Sequence, residues 1–121
     1  MTPGRRKISQ MIWEFAGDFI RMGKTPAEQH IRLTAACAAW NIACTPPERR
    51  KAVLDDYMAT CQRLSPRTDP VNSAAIRSDM EKLIERKVKL FPRDVRQIIG
   101  ARLIPVGDQV RIEAAAATIG R

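Results

Sequence analysis

Apolar residues recur at steps of three and four through the first 64 positions and again from residue 76, a spacing that predicts four helices. Ile8, Met11, Ile12, Phe15, Phe19 and Met22 place the first over about residues 7–22, with Gly23 as its stop. Gly17 inside it either lowers helicity or marks a close helix contact. The next two helices open with the same device, TPAE at 25–28 and TPPE at 45–48. Each reads as a capping box: the threonine oxygen accepts from the backbone N–H of Glu28 or Glu48, the carboxylate reaches back, and Pro26 or Pro46 takes the first helical position. These boxes set helices over about 26–43 and 46–64. From Leu33 on, the second helix has only Thr34 and Asn41 as polar residues, which suits the centre of a bundle. The third carries Leu54, Tyr57, Met58, Cys61 and Leu64 on one stripe, with Arg50, Lys51, Asp55 and Asp56 left to water.

SPRTDPVNS, residues 65–73, has two prolines and no period, so it reads as a linker. A fourth helix follows over about 73–90, carried by Ile76, Met80, Leu83, Ile84 and the aliphatic stem of Lys87, and ended by Phe91-Pro92. Beyond Pro92 the period falls to two: RQIIGARLI and VRIEA flank PVGDQ, the signature of a β-hairpin. A helix through Val95, Ile98, Ile99 and Leu103 competes with that reading, and the tail AAAATIGR fits either a longer strand or a short helix. The expected fold is α+β: an N-terminal three-helix bundle over 8–64, then a fourth helix and a C-terminal β-hairpin over 74–121, in one compact domain. Residues 1–7, MTPGRRK, read as a flexible basic arm.

A chain of 121 residues, 45% hydrophobic and 28% charged, can bury a core without a metal or disulfides. Its 21 Lys and Arg against 13 Asp and Glu leave a net charge of +8, which admits anionic partners. Cut after Leu64, the two parts carry 10 basic and 6 acidic, then 11 basic and 7 acidic residues, or +4 each, so the excess is not a basic tail. No stretch reads as an export signal or membrane span, and three cysteines cannot all pair within one chain. A cytoplasmic protein with free thiols and no membrane association is therefore expected.

The candidate chemistry is sparse. Cys37 and Cys44, about 10.5 Å apart along a helix, are too distant for a disulfide or a shared zinc, and the only histidine, His30, lies far from Cys44. Leu33, Cys37, Trp40 and Cys44 therefore read as a packing seam, with Asn41 satisfied by a neighbouring helix end. Arg49, Arg50 and Lys51 sit where a helix dipole disfavours cations, but Pro46 and Pro47 remove the N–H groups that an anion site would use. KLIERKVKLFPRDVR, 82–96, is the strongest cluster: Lys82, Arg86, Lys89 and Arg93 follow steps of four, three and four, a ridge that with Arg96 could track phosphates. The reading against nucleic acid is a charged outer face with no interleaved aromatic. No catalytic constellation, metal site or cofactor motif can be assembled, so the chain does not read as an enzyme.

AWNIACTPPERR and LIERKVKLFPRDVR resemble segments of small uncharacterised bacterial proteins with an alanine-tryptophan-asparagine helix and a Lys-Leu-Phe-Pro junction. That resemblance implies a bacterial cytoplasmic protein and brings no activity or site residues. Two functions are expected from the residues. The first is a small non-catalytic interaction protein that self-associates, since a lone hairpin leaves its edges unpartnered and carries Ile98, Ile99, Leu103, Ile104, Val110 and Ile112 on both faces. The second is an accessory nucleic-acid binder using Lys82, Arg86, Lys89, Arg93 and Arg96, with Arg5, Arg6 and Lys7 as an auxiliary arm.

Overall fold

The computed structural model describes residues 7–64 and 70–118, and of residues 70–72 and 118 the backbone alone. Four helices, α1 (Ile8–Arg21), α2 (Pro26–Ala43), α3 (Pro47–Leu64) and α4 (Pro70–Leu90), precede an antiparallel hairpin of β1 (Arg96–Val106) and β2 (Gln109–Thr118). This is the α+β fold with a C-terminal hairpin that the periodicity predicts. The helix through Val95–Leu103 is excluded, and the alanine tail extends β2 as far as Thr118. Of the proposed basic arm, residues 1–6 lie outside the described residues, while Lys7 is the exposed N-cap of α1.

α2 is central, packing against α1, α3, α4 and β1. Its own contribution is Leu33, Ala36, Ala39, Trp40, Ile42 and Ala43, all buried. The small alanines let neighbouring helices approach closely, and Trp40 fills the volume at the far end, edge-on to Phe15 with ring centroids 5.6 Å apart. α1 faces it with Ile8, Met11, Ile12, Phe15, Ala16 and Ile20. Met22, assigned to that stripe from sequence, instead lies past the helix end and is exposed. The nearest neighbours of Gly17 lie on its own helix: a Cβ there would sit 3.0 Å from the Trp13 ring and 3.2 Å from the Arg21 guanidinium, which stack on each other.

The two TPxE boxes have different fates. Thr25 caps α2, its hydroxyl oxygen accepting from the Glu28 N–H at 3.1 Å while the Glu28 carboxylate returns to the Lys24 N–H and the Thr25 hydroxyl. Thr45 does not close the second box. Its hydroxyl donates to the Ile42 carbonyl at 2.6 Å, and its own carbonyl accepts from Arg50 Nε. The end of α2 presents carbonyls that need donors, and Thr45 lies within reach of them. α3 accordingly begins at Pro47, not 46.

α3 is also more peripheral than its stripe predicts. Only Leu54 is buried; Tyr57, Met58 and Cys61 are half-buried and Leu64 is exposed. α4 supplies the fuller wall, with Met80, Leu83, Ile84 and Lys87 buried at helical spacing. It starts at Pro70, so the last four residues of the predicted linker are helical, a proline being well placed in a first turn. Residues 65–69 lie outside the described residues. Asp55 joins the two helices, accepting from Arg77 at 2.6 Å and from Lys51 at 3.1 Å.

The hairpin closes through a two-residue loop, Gly107-Asp108, between the paired residues Val106 and Gln109. Gly107 has φ +65°, and no other described residue is left-handed, the pattern of a type II′ turn with glycine at its first central position. Leu103 pairs with Ile112, Ala101 with Ala114 and Ile98 with Ala116, and this face rests on the helices. A bulge between Ile98 and Gly100 inserts Ile99 without a partner.

Candidate interaction surface

Two adjacent residues of α2 fasten the hairpin. Trp40 Nε1 donates to the Arg96 carbonyl at 2.7 Å. Asn41 meets Ile98 as a strand would: its Nδ2 donates to the Ile98 carbonyl at 2.9 Å and its Oδ1 accepts from the Ile98 N–H at 2.7 Å. Asn41 is thus satisfied by a strand edge and not by the helix end expected for it. One turn on, the Cys44 thiol lies 3.6 Å from the Arg96 carbonyl and 3.7 Å from that of Asp94, donating weakly to both.

Beneath this clamp lies a charged cluster. Lys87 is 2% exposed, and its ammonium donates to the Asp94 carbonyl and sits 5.0 Å from the centre of the Trp40 ring. Arg96 forms an ion pair with Asp94 at 2.7 Å, their side chains 14% and 13% exposed. Burial pushes the Asp94 pKa up, but the Arg96 hydrogen bonds and the charges of Arg96 and Lys87 outweigh it and hold the carboxyl below its usual value. A depressed folded-state pKa means that the pair's stabilisation is complete above the unfolded value and is lost as pH falls through the folded one. Resistance to urea is therefore expected to decline below about pH 4, and less steeply in Asp94→Asn. Urea midpoints of both proteins at about pH 6 and about pH 3 check this.

The clamp distinguishes the two edges of the hairpin. In an antiparallel ladder, alternate residues turn both N–H and C=O toward the partner strand and the others turn both away. Ile98 gives both groups to Asn41, so it faces away from β2, and its partner Ala116 faces away from β1. The closing pair Val106–Gln109 sets the same alternation from the other end. The outward groups of β2 therefore belong to Val110, Ile112, Ala114 and Ala116. Among the described residues, no side chain bonds to them and no backbone outside the hairpin does. β1 is partly guarded instead: Trp40 and Asp94 take Arg96, Asn41 takes Ile98, and Pro105 has no N–H to offer, which leaves Ala101 and Leu103 facing outward.

The apolar groups foreseen on both hairpin faces divide accordingly. Ile98 and Ile112 are buried and Leu103 and Ile104 half-buried, while Ile99, Val106 and Val110 are 68%, 53% and 37% exposed. Arg102, Arg111 and Glu113 share the open face, Glu113 accepting from Arg102 at 2.8 Å and from Arg111 at 3.4 Å. Beside α1 an open groove of about 740 Å³ is lined by Lys7, Gln10, Trp13, Arg111, Glu113 and Ala115 among others.

The basic ridge is only partly assembled. Lys82 and Lys89 are exposed on α4 and Arg93 on the turn after it, none with an ion pair among the described residues. Arg86, also exposed, directs its guanidinium to the carbonyls of Phe15 at 2.8 Å and Glu14 at 3.0 Å, bracing α4 against α1. Arg96 is set apart, turned inward against Asp94 and the Met11 sulfur.

A second cleft, of about 530 Å³, opens between α2, α3 and α4 over Phe19, Ile31, Tyr57, Met58 and Ile76, with Arg32 and Asp79 at its margin. The thiols are free and half-buried; burial pushes Cys37 up to about 11 and raises Cys44, which leaves both protonated at neutral pH. Burial, followed by the neighbouring Cys61, pushes Tyr57 up to about 12. Among the described residues no three of His, Cys, Asp and Glu gather as metal ligands, and no helix is long and apolar enough to cross a membrane. Comparison with protein-family models, curated proteins and solved structures finds no match.

Proposed function

We propose that this chain is a small non-catalytic interaction protein of the cytoplasm that associates with itself through its hairpin. The observation that carries this reading is the asymmetric docking of the hairpin: α1 and α2 cover one face and α2 bonds the first residues of β1, while the outward groups of β2 take no bond among the described residues and the side chains of Ile99, Val106 and Val110 are exposed. Two-stranded sheets with an open edge gain stability by adding strands. Nothing in the clamp recruits a substrate, since its polar atoms are spent on the backbone of β1. Sedimentation over a wide concentration range is expected to show a monomer passing into a defined oligomer; a monomer throughout would overturn the reading.

A second reading, accessory binding of nucleic acid, is favoured by Lys82, Lys89 and Arg93, exposed cations without an ion pair among the described residues. Three phosphate contacts would give a salt slope of about −2 to −3 in logarithmic units. Duplex affinity that is unchanged when all three become glutamate rejects this ridge.

A further inference from the structure

We infer that two copies of this chain pair antiparallel through β2, in the register that sets Ile112 across from the second copy's Ile112. This inference rests on the self-association proposed above and names its surface and geometry.

The edge follows from the hydrogen-bond accounting. A joining strand needs a run of alternate N–H and C=O groups, and β2 offers four such residues that make no other bond among the described residues, Val110, Ile112, Ala114 and Ala116. On β1 the outward run is cut to Ala101 and Leu103: Arg96 is taken by Trp40 and Asp94, Ile98 by Asn41, and Pro105 lacks a donor. An open groove runs between the first turns of α1 and the hairpin, lined by residues 100–102 of β1 and 111–115 of β2. The alanines at 114–117 add little bulk to that strand.

The register follows from charge. A second copy related by a two-fold axis places residue i across from residue j with a constant sum. Centring the axis on residue 111 puts Arg111 against itself, and centring it on 113 puts Glu113 against itself, both unfavourable. An axis at 114 leaves both charges opposite alanine. Only an axis at 112 sets each Arg111 across from the second copy's Glu113, twice over by symmetry, and it brings Val110 and Ala114 of the two copies into hydrogen-bonded positions. The product is a four-stranded sheet in the order β1-β2-β2-β1, each outer edge interrupted at Arg96, Ile98 and Pro105.

The test uses two charge variants of the full chain, Arg111→Glu and Glu113→Arg. Each alone places like charges across the axis and is expected to raise the dimer dissociation constant by about tenfold or more. Mixed in equal amounts they restore both Arg–Glu pairs, so the mixture is expected to form a heterodimer of near wild-type affinity. A third variant, Ala114→Pro, removes an N–H that faces the second copy and spares the bonds to β1; it too is expected to dissociate, with circular dichroism reporting whether the monomer stays folded. A wild-type chain that never dimerises overturns both this inference and the proposed function. Dimers that survive all three substitutions overturn the β2 interface and leave self-association standing. Single variants that dissociate without recovery on mixing overturn the register.

Discussion

Trp40→Ala is expected to lower the unfolding free energy by about 3–5 kcal/mol, a large share of what a domain of this size possesses. The indole is fully buried, edge-on to Phe15 and 5.7 Å from the Phe91 ring, beneath the Lys87 ammonium, and its N–H holds the first residue of β1. Truncation therefore opens a cavity where α1, α2, α4 and the hairpin meet, and it strips one face from a buried cation. Trp40→Phe separates the two contributions. It keeps most of the volume and loses the donor, while the Cys44 thiol still lies 3.6 Å from the Arg96 carbonyl, so its cost is expected to be about 1 kcal/mol. Urea unfolding followed by circular dichroism measures both. An alanine variant that costs no more than the phenylalanine one would show that packing around the ring contributes little.

Asn41→Asp is the second large effect, and its sign depends on pH. The substitution preserves shape but replaces the amide that donates to the Ile98 carbonyl with a carboxylate oxygen, so two acceptors face one another at about the 2.9 Å now spanned by a hydrogen bond. At neutral pH the loss is expected to be on the order of 3 kcal/mol. Protonation restores a donor, so the folded state raises the pKa of the new acid above its unfolded value near 3.9. The folded form is then favoured below the unfolded value, and that advantage fades as pH climbs through the folded one. Stability relative to wild type should accordingly recover on acidification, opposite in direction to the Asp94 effect. Urea midpoints at about pH 4 and about pH 7 for both proteins decide it; a deficit equal at the two values would mean that the Ile98 carbonyl does not oppose the carboxylate.

How far the fold can be read from sequence depends on the range of the interaction concerned. The bounds of α2 follow from Thr25, Pro26 and Glu28 because a capping box is complete within four residues. The same local pattern at Thr45 misleads, since the hydroxyl is diverted by a carbonyl of the preceding helix, and its position depends on where that helix stops. The hairpin follows from a change of period together with Gly107, whose left-handed φ suits the turn. The spacing of Met80, Leu83, Ile84 and Lys87 already places the lysine on the apolar stripe; what spacing cannot supply is the Asp94 carbonyl and the Trp40 face that receive its charge. Arg96 reads as a member of the basic ridge because it is a cation near others, yet Asp94, two residues before it, turns it inward. Asn41 is recognisable as a buried polar group in need of a partner, but Ile98 is 57 residues away, and the partner's identity becomes visible only in three dimensions.

That separation also shapes how the molecule assembles. Both anchoring bonds span more than fifty residues, so the loop between them must close, at an entropic cost, before any of their energy is gained. During that interval the strands stand undocked with Ile98 and Ile112 in water, and it falls to Pro105, Arg102 and Glu113 to act as gatekeepers against premature aggregation.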